Sequence, residues 1–186
     1  MSQAVAGFGR PLLDADGEAV LAAQADAEAF AVLYERYATR VYRYLRPRAS
    51  NDQEAADITQ QVFLKAMTSL HRFRPGRAPF SAWLFRIARN VATDAYRRRR
   101  PTLSLSAAAA LESGDDPEEA AVRADRIRRL EAQLARLNEA SRELLALRFG
   151  ASLSSREIAA VVGKSEAAVK RQLTRIISSL KEHYRE

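Results

Sequence analysis

The sequence predicts an all-α fold of two small helical domains joined by a flexible linker. Three observations carry this. Apolar residues recur at three- and four-residue steps along most of the chain, strand signals are nearly absent, and two basic blocks are split by an acidic, Ser/Ala-rich stretch. A chain of 186 residues is one ordinary domain or two small ones. Its 47% hydrophobic content is enough for packed cores.

The elements follow in order. Residues 1–25 match no pattern and are read as an N-terminal extension without structure. Asp26 to about Leu45 carries one apolar stripe, Phe30, Leu33, Tyr34, Tyr37, Val41, Tyr44 and Leu45, with Pro47 past its end. Asn51 and Glu54 form a capping pair for a second helix that buries Ile58, Val62, Ala66 and Leu70, with Phe63 beside them. Arg74-Pro-Gly-Arg-Ala-Pro79 reads as a loop. A third helix presents Phe80, Leu84, Ile87, Val91 and Ala95 on its apolar face and ends in four arginines, Arg97 to Arg100, before Pro101. The boundaries are therefore a first domain at 26–100, a linker at 101–120 and a second domain at 121–186. Asp116-Pro117-Glu118-Glu119 starts a helix continued by Ile127, Leu130, Leu134 and Leu137, and a short helix around Ser141–Phe149 follows.

Charge narrows the function. The net charge is +7, but residues 1–29 hold −4, 30–100 hold +10, 101–126 hold −4 and 127–186 hold +5. Two basic modules on an acidic tether fit a polyanion held at two places. With no cysteine, a disulfide scaffold, a thiol nucleophile and a Cys-based zinc site are excluded. His71 and His183 are too few for a histidine-rich metal site. No cofactor or metal is expected. No apolar run reaches the roughly 18 residues of a membrane span, and the N-terminus lacks a signal-peptide pattern. A reducing, cytoplasmic setting is expected.

The most specific local signal is SSREIAAVVGKSEAAVKRQLTRII at 154–177. Ile158, Ala159 and Val162 form the inner face of a short helix, Gly163 supplies a turn, and Ser165 caps a second helix packed through Val169, Leu173, Ile176 and Leu180. The outer face of that second helix carries Lys170, Arg171, Thr174 and Arg175. This is a helix-turn-helix whose second helix fits a major groove. On the third helix of the first domain, Arg86, Asn90, Thr93 and Arg97 share a polar face, with Arg89, Thr93, Tyr96 and Arg100 beside it. Arginines near Phe73, Phe80 and Trp83 fit single-stranded nucleic acid, where rings stack on bases; the alternative for all three rings is the core, where Phe80 is expected, and Trp83 fits either place.

Three segments in order resemble bacterial sigma factors: AADITQQVFLKAM (55–67), FSAWLFRIARNVATDAYRRRR (80–100) and ELLALRFGASLSSREIAAVVGKSEAAVKRQLTR (143–175). Two regions without a large middle domain resemble the extracytoplasmic-function (ECF) type, with sigma region 2 at 26–100 and the helix-turn-helix sigma region 4 at 121–186. The resemblance implies a bacterial cytoplasmic promoter-specificity subunit that is not an enzyme. The second helix would dock on the clamp helices of the large subunit of core RNA polymerase through Asp57, Gln60 and Gln61, with Phe63 beneath. The loop HRFRPGRAPFS (71–81) and third helix would engage the minus-ten element, with a base flipped into the loop. Flipping costs a few kcal/mol, which protein contacts offset. Arg74, Arg77, Ser81, Trp83, Arg86, Arg89, Asn90, Asp94 and Arg97 are the residues implied there. Ser165, Glu166, Lys170, Arg171, Thr174 and Arg175 would read the minus-thirty-five element. The linker would thread the polymerase cleft, and an anti-sigma factor is an implied partner.

Two departures stand out. Gln61 replaces the family's usual carboxylate. In the recognition helix Gln172 takes the usual arginine position and Arg171 precedes it, a shift of about 100° around the helix. Two other readings compete. A stand-alone helix-turn-helix regulator leaves the 55–67 motif idle, and an enzyme acting on nucleic acid would rely on Asp57, Asp94 and His71 without a metal-spaced carboxylate cluster.

Overall fold

The computed structural model describes residues 16–98 and 117–185. Helices α1 (Gly17–Ala25), α2 (Phe30–Leu45), α3 (Asp52–Ser69) and α4 (Phe80–Arg98) form a first module, and α5 (Pro117–Arg136), α6 (Glu139–Leu145), α7 (Ser155–Val162) and α8 (Glu166–Arg185) follow as a second. No strand occurs among the described residues.

α2 forms where the apolar stripe lies. Phe30, Leu33, Tyr37, Val41, Tyr44 and Leu45 are buried along it, whereas Tyr34 is 43% exposed. α3 begins with the capping pair read from sequence. The Asn51 side chain accepts from the Glu54 N–H at 2.8 Å, and Glu54 Oε2 accepts from the Ser50 N–H at 2.9 Å. Ala55, Ile58, Thr59, Val62, Phe63 and Ala66 line its buried side. α4 lays Phe80, Leu84, Phe85, Ala88 and Val91 against α2 and α3. Phe80 joins Tyr37 and Phe73 in edge-to-face contacts at 5.5 and 5.7 Å, which secures the start of α4 to both α2 and the preceding loop.

The N-terminal extension corrects the sequence reading. Residues 1–15 lie outside the described residues, but Gly17–Ala25 are helical and packed. Val20 and Ala23 are buried. The buried Asp16 carboxylate accepts from Tyr37 Oη at 2.5 Å and pairs with Arg36. Gln24 Nε2 donates to the Leu70 and Phe73 carbonyls, both at 2.9 Å. Burial and then the Asp16 carboxylate push the Tyr37 phenol well above its usual range. The segment lacks an apolar stripe, so its anchoring comes from partners distant in sequence.

In the second module, α5 starts at Pro117, inside the stretch read as linker; residues 101–116 lie outside those described. Leu134 and Leu137 are half-buried but Leu130 is 41% exposed, so α5 contributes less core than its periodicity implied. The short helix read around 141–149 is α6 followed by a π turn at Ala146–Gly150. The second module rests on the first: α7 packs on α4, and the π turn packs on α2. Buried apolar side chains of both modules belong to one cluster.

Candidate nucleic-acid interface

The helix-turn-helix is held by local bonds. Ser154 and Glu157 make a reciprocal capping box at the start of α7, with the Glu157 N–H donating to Ser154 Oγ at 3.2 Å and the Ser154 N–H to Glu157 Oε2 at 2.7 Å. Gly163 ends α7 at φ 70°, the left-handed conformation that glycine adopts freely. Ser165 Oγ accepts from the Ala168 N–H at 3.2 Å and caps α8. Val169, Leu173 and Ile176 are buried, so the opposite face is set by rotation alone. Lys170, Arg171, Thr174 and Arg175 are all exposed on it. Lys170 Nζ pairs with Glu166 at 2.7 Å, and Lys164 Nζ donates to Gln172 Oε1 at 3.1 Å.

On α3, Asp57, Gln60 and Gln61 are exposed, and Asp57 accepts from Gln53 Nε2 at 3.0 Å. Phe63 is buried beneath them, edge-on to Tyr34 at 4.7 Å and Phe30 at 6.4 Å. Leu64 and Met67, 59% and 43% exposed, flank the glutamines. Sequence reading missed this apolar component. Placing the apolar stripe of α3 at 58, 62, 66 and 70 leaves 64 and 67 on the outer face, which was the signal available.

The third cluster surrounds the loop before α4. Arg74 Nη1 donates to the His71 carbonyl at 2.8 Å, and Arg77 is exposed in the following turn. Trp83 is half-buried against Phe73 and Phe80, at 5.3 and 5.6 Å between rings. Arg86, Arg89, Asn90, Thr93 and Asp94 are exposed along α4, and the side chain of Arg97 lies outside the described residues. Ser81 differs from its expected placement. It is 2% exposed and donates to Glu157 Oε1 of α7 at 2.5 Å. In this conformation Ser81 faces the second module, not solvent, because α7 packs on α4.

Asp57 bonds within α3, and His71 Nδ1 lies 3.1 Å from the Thr68 carbonyl.

The described residues thus present two exposed cationic faces, on α4 and α8, and a separate polar-apolar face on α3. Two family models match the chain: Sigma-70 region 2 over residues 33–102 and Sigma-70, region 4 over 127–186. The ECF RNA polymerase sigma factor BldN of Streptomyces coelicolor is 34% identical over 179 residues, covering 92% of this chain and 68% of its own length. The RNA polymerase sigma factor CnrH of Cupriavidus metallidurans is 31% identical, covering 89% of this chain and 93% of its own. The solved structure of CnrH in complex with the cytosolic domain of CnrY superposes with a TM-score of 0.67 at 30% identity, over 91% of this chain and 96% of that one.

The chain belongs to the ECF sigma factors of the sigma-70 family. It is a transcription-initiation factor that associates with core RNA polymerase and binds promoter DNA, and the stand-alone regulator reading is set aside.

Proposed function

We propose that the polymerase contact lies on the outer face of α3 and that the two promoter contacts are divided between the modules. Asp57, Gln60 and Gln61 engage the clamp helices of the polymerase large subunit, with Phe63 supporting them from beneath. Arg74, Arg77, Ser81, Trp83, Arg86, Arg89, Asn90, Asp94 and Arg97 serve the minus-ten element and its melted strand. Ser165, Glu166, Lys170, Arg171, Thr174 and Arg175 serve the minus-thirty-five duplex. Residues 26–100 and 121–186 are the corresponding domains, joined by the stretch from 101.

The observation that carries this reading is the exposed α3 face. It has no role in packing the first module, yet it lies inside the matched region 2 and displays a carboxylate, two amides and two apolar side chains together. Such a mixture suits a protein partner better than DNA, whose phosphates a carboxylate repels. The factor works without catalysis of its own, in the bacterial cytoplasm. No helix among the described residues is long and apolar enough to cross a membrane. An anti-sigma factor covering both modules is a further partner, supported by the likeness to CnrH solved with the CnrY cytosolic domain.

The test mixes the full chain with bacterial core polymerase. Wild type should co-elute and start transcripts at discrete genomic sites. Asp57→Arg should lose co-elution while keeping its helical circular dichroism. Undiminished co-elution of that variant would remove the α3 face from the polymerase contact.

A further inference from the structure

The loop that carries Arg74 and Arg77 has a tip fixed by its own residues and a base that is not. In Arg74-Pro75-Gly76-Arg77, proline stands second and glycine third, Gly76 takes φ 87°, and the Arg77 N–H donates to the Arg74 carbonyl at 3.4 Å. Pro and Gly in those places favour a type II turn and stiffen it locally. Where that turn points is decided lower down, at Leu70 and Phe73. There the Phe73 N–H donates to the Leu70 carbonyl at 2.9 Å, and Gln24 Nε2 of α1 donates to the Leu70 and Phe73 carbonyls, both at 2.9 Å. Gln24 stands 46 positions before Leu70, so a helix outside the loop holds its base.

The consequence reaches the rings. Phe73 is buried and lies 5.3 Å from Trp83 and 5.7 Å from Phe80, so a shift of its backbone moves the surface on which Trp83 leans. The other end of α1 is tied to the far stem of the loop: Asp16 accepts from Tyr37 Oη, and the Tyr37 ring meets Phe80 edge-on at 5.5 Å. Arg74 also braces the loop, its Nη1 donating to the His71 carbonyl at 2.8 Å and the Phe73 carbonyl at 3.3 Å. An arginine that turns to a DNA phosphate gives such bonds up, because the same donors serve both. The half-buried Gln24 keeps its own.

We propose that Gln24 is a positioning residue for promoter opening: from α1 it fixes the Leu70 and Phe73 carbonyls and thereby aims the 74–77 turn and Trp83 at the melted strand. The inference rests on the minus-ten assignment of this loop. A loop that holds its competent shape only part of the time binds DNA more weakly by that fraction, and a pre-formed one avoids the ordering cost. α1 thereby acquires a part in strand opening beyond the packing of its own module.

Trp83 is the chain's one tryptophan, so its emission and its quenching by acrylamide report on the loop without background. Opening is read with the full chain on core polymerase, using a promoter fragment from a start site mapped with wild type and carrying 2-aminopurine in the non-template strand. Gln24→Met keeps the side-chain length and removes both donors, Gln24→Asn keeps an amide too short to reach both carbonyls, and Gln24→Lys restores a donating nitrogen. Val20→Ala loosens the buried side of α1 and leaves Gln24 in place. Gln24→Met and Gln24→Asn should co-elute with core polymerase as wild type does, expose Trp83 to quencher and open the promoter about tenfold less, as expected if the loop is competent about a tenth of the time. Gln24→Lys should recover most of the opening, and Val20→Ala should open normally below its unfolding temperature. Wild-type opening in both Gln24→Met and Gln24→Asn, an equal loss in Val20→Ala, or a Gln24→Lys no better than Gln24→Met would overturn the positioning role. Arg74→Ala with Arg77→Ala reports on the assignment beneath it: normal opening by that pair would withdraw the loop from the minus-ten contact and the inference with it, whereas impaired opening there beside normal opening in the Gln24 variants would remove Gln24 alone.

Discussion

Single residues divide by how local their partners are. Gly163 and Ser165 were legible from sequence because a turn and a helix cap are decided within a few residues. Gly163 has open space around the position of a Cβ, so only its φ of 70° opposes a side chain. Gly163→Ala should therefore cost about 1 kcal/mol from left-handed strain alone, read as a lowered urea midpoint with no loss of helix. The exposed face of α8 permits a sharper test of DNA contact. If Arg175 bonds phosphate only, Arg175→Ala should flatten the slope of log affinity against log salt by about 0.9 and leave sequence preference intact. Arg171→Ala should lower duplex binding, and an unchanged preference and slope in both variants would take α8 out of the groove. Glu143, by contrast, gave no signal. A glutamate on a short helix reads as a solvated charge until Tyr44 and Arg48, nearly a hundred positions earlier, are placed against it.

At the scale of elements, α2, α3 and α4 were readable because each carries a stripe at helical spacing, and burial of a stripe is what stabilises a helix in a small domain. α1 was not. GEAVLAAQA is rich in alanine and has no polar face opposed to an apolar one, so periodicity had nothing to report. Its docking depends on Asp16 meeting Tyr37 and on Gln24 meeting two carbonyls of the turn that follows α3, those of Leu70 and Phe73. The Leu70 carbonyl lies just before the candidate minus-ten loop and the Phe73 carbonyl inside it. Gln24→Ala should destabilise the first module by about 1–2 kcal/mol through two lost hydrogen bonds. It should also speed amide exchange in α1 more than in α2, and uniform exchange in the variant would count against the anchoring. The overestimated burial of α5 has the opposite cause: Leu130 fits the stripe yet stays 41% exposed.

For the whole molecule, the packing of α7 on α4 brings a dependence on acidity through Glu157. Burial pushes the Glu157 carboxyl up, but bonds from Ser154 and Ser81 and the nearby Arg40 charge outweigh it, and its value lies below the ordinary 4.5. A carboxyl held lower in the folded state stabilises that state fully above its unfolded value. The contribution is lost as pH falls through the lowered folded value. Stability should thus be flat in this respect near neutrality and fall below about pH 4.5, and Glu157→Gln should remove that part of the decline in urea titrations between pH 7 and 3. A decline identical in wild type and variant would mean that other groups account for it.

Sequence alone determined the helical class, the two basic blocks, the helix-turn-helix and the motif order, because periodicity, capping and charge are properties of neighbouring residues. The family followed from the same local features. Only tertiary structure decided that α1 docks through Asp16 and Gln24 and that Ser81 of α4 faces Glu157 of α7. Each of these depends on groups distant in sequence coming within a few ångströms, and no spacing along the chain encodes which surfaces will meet.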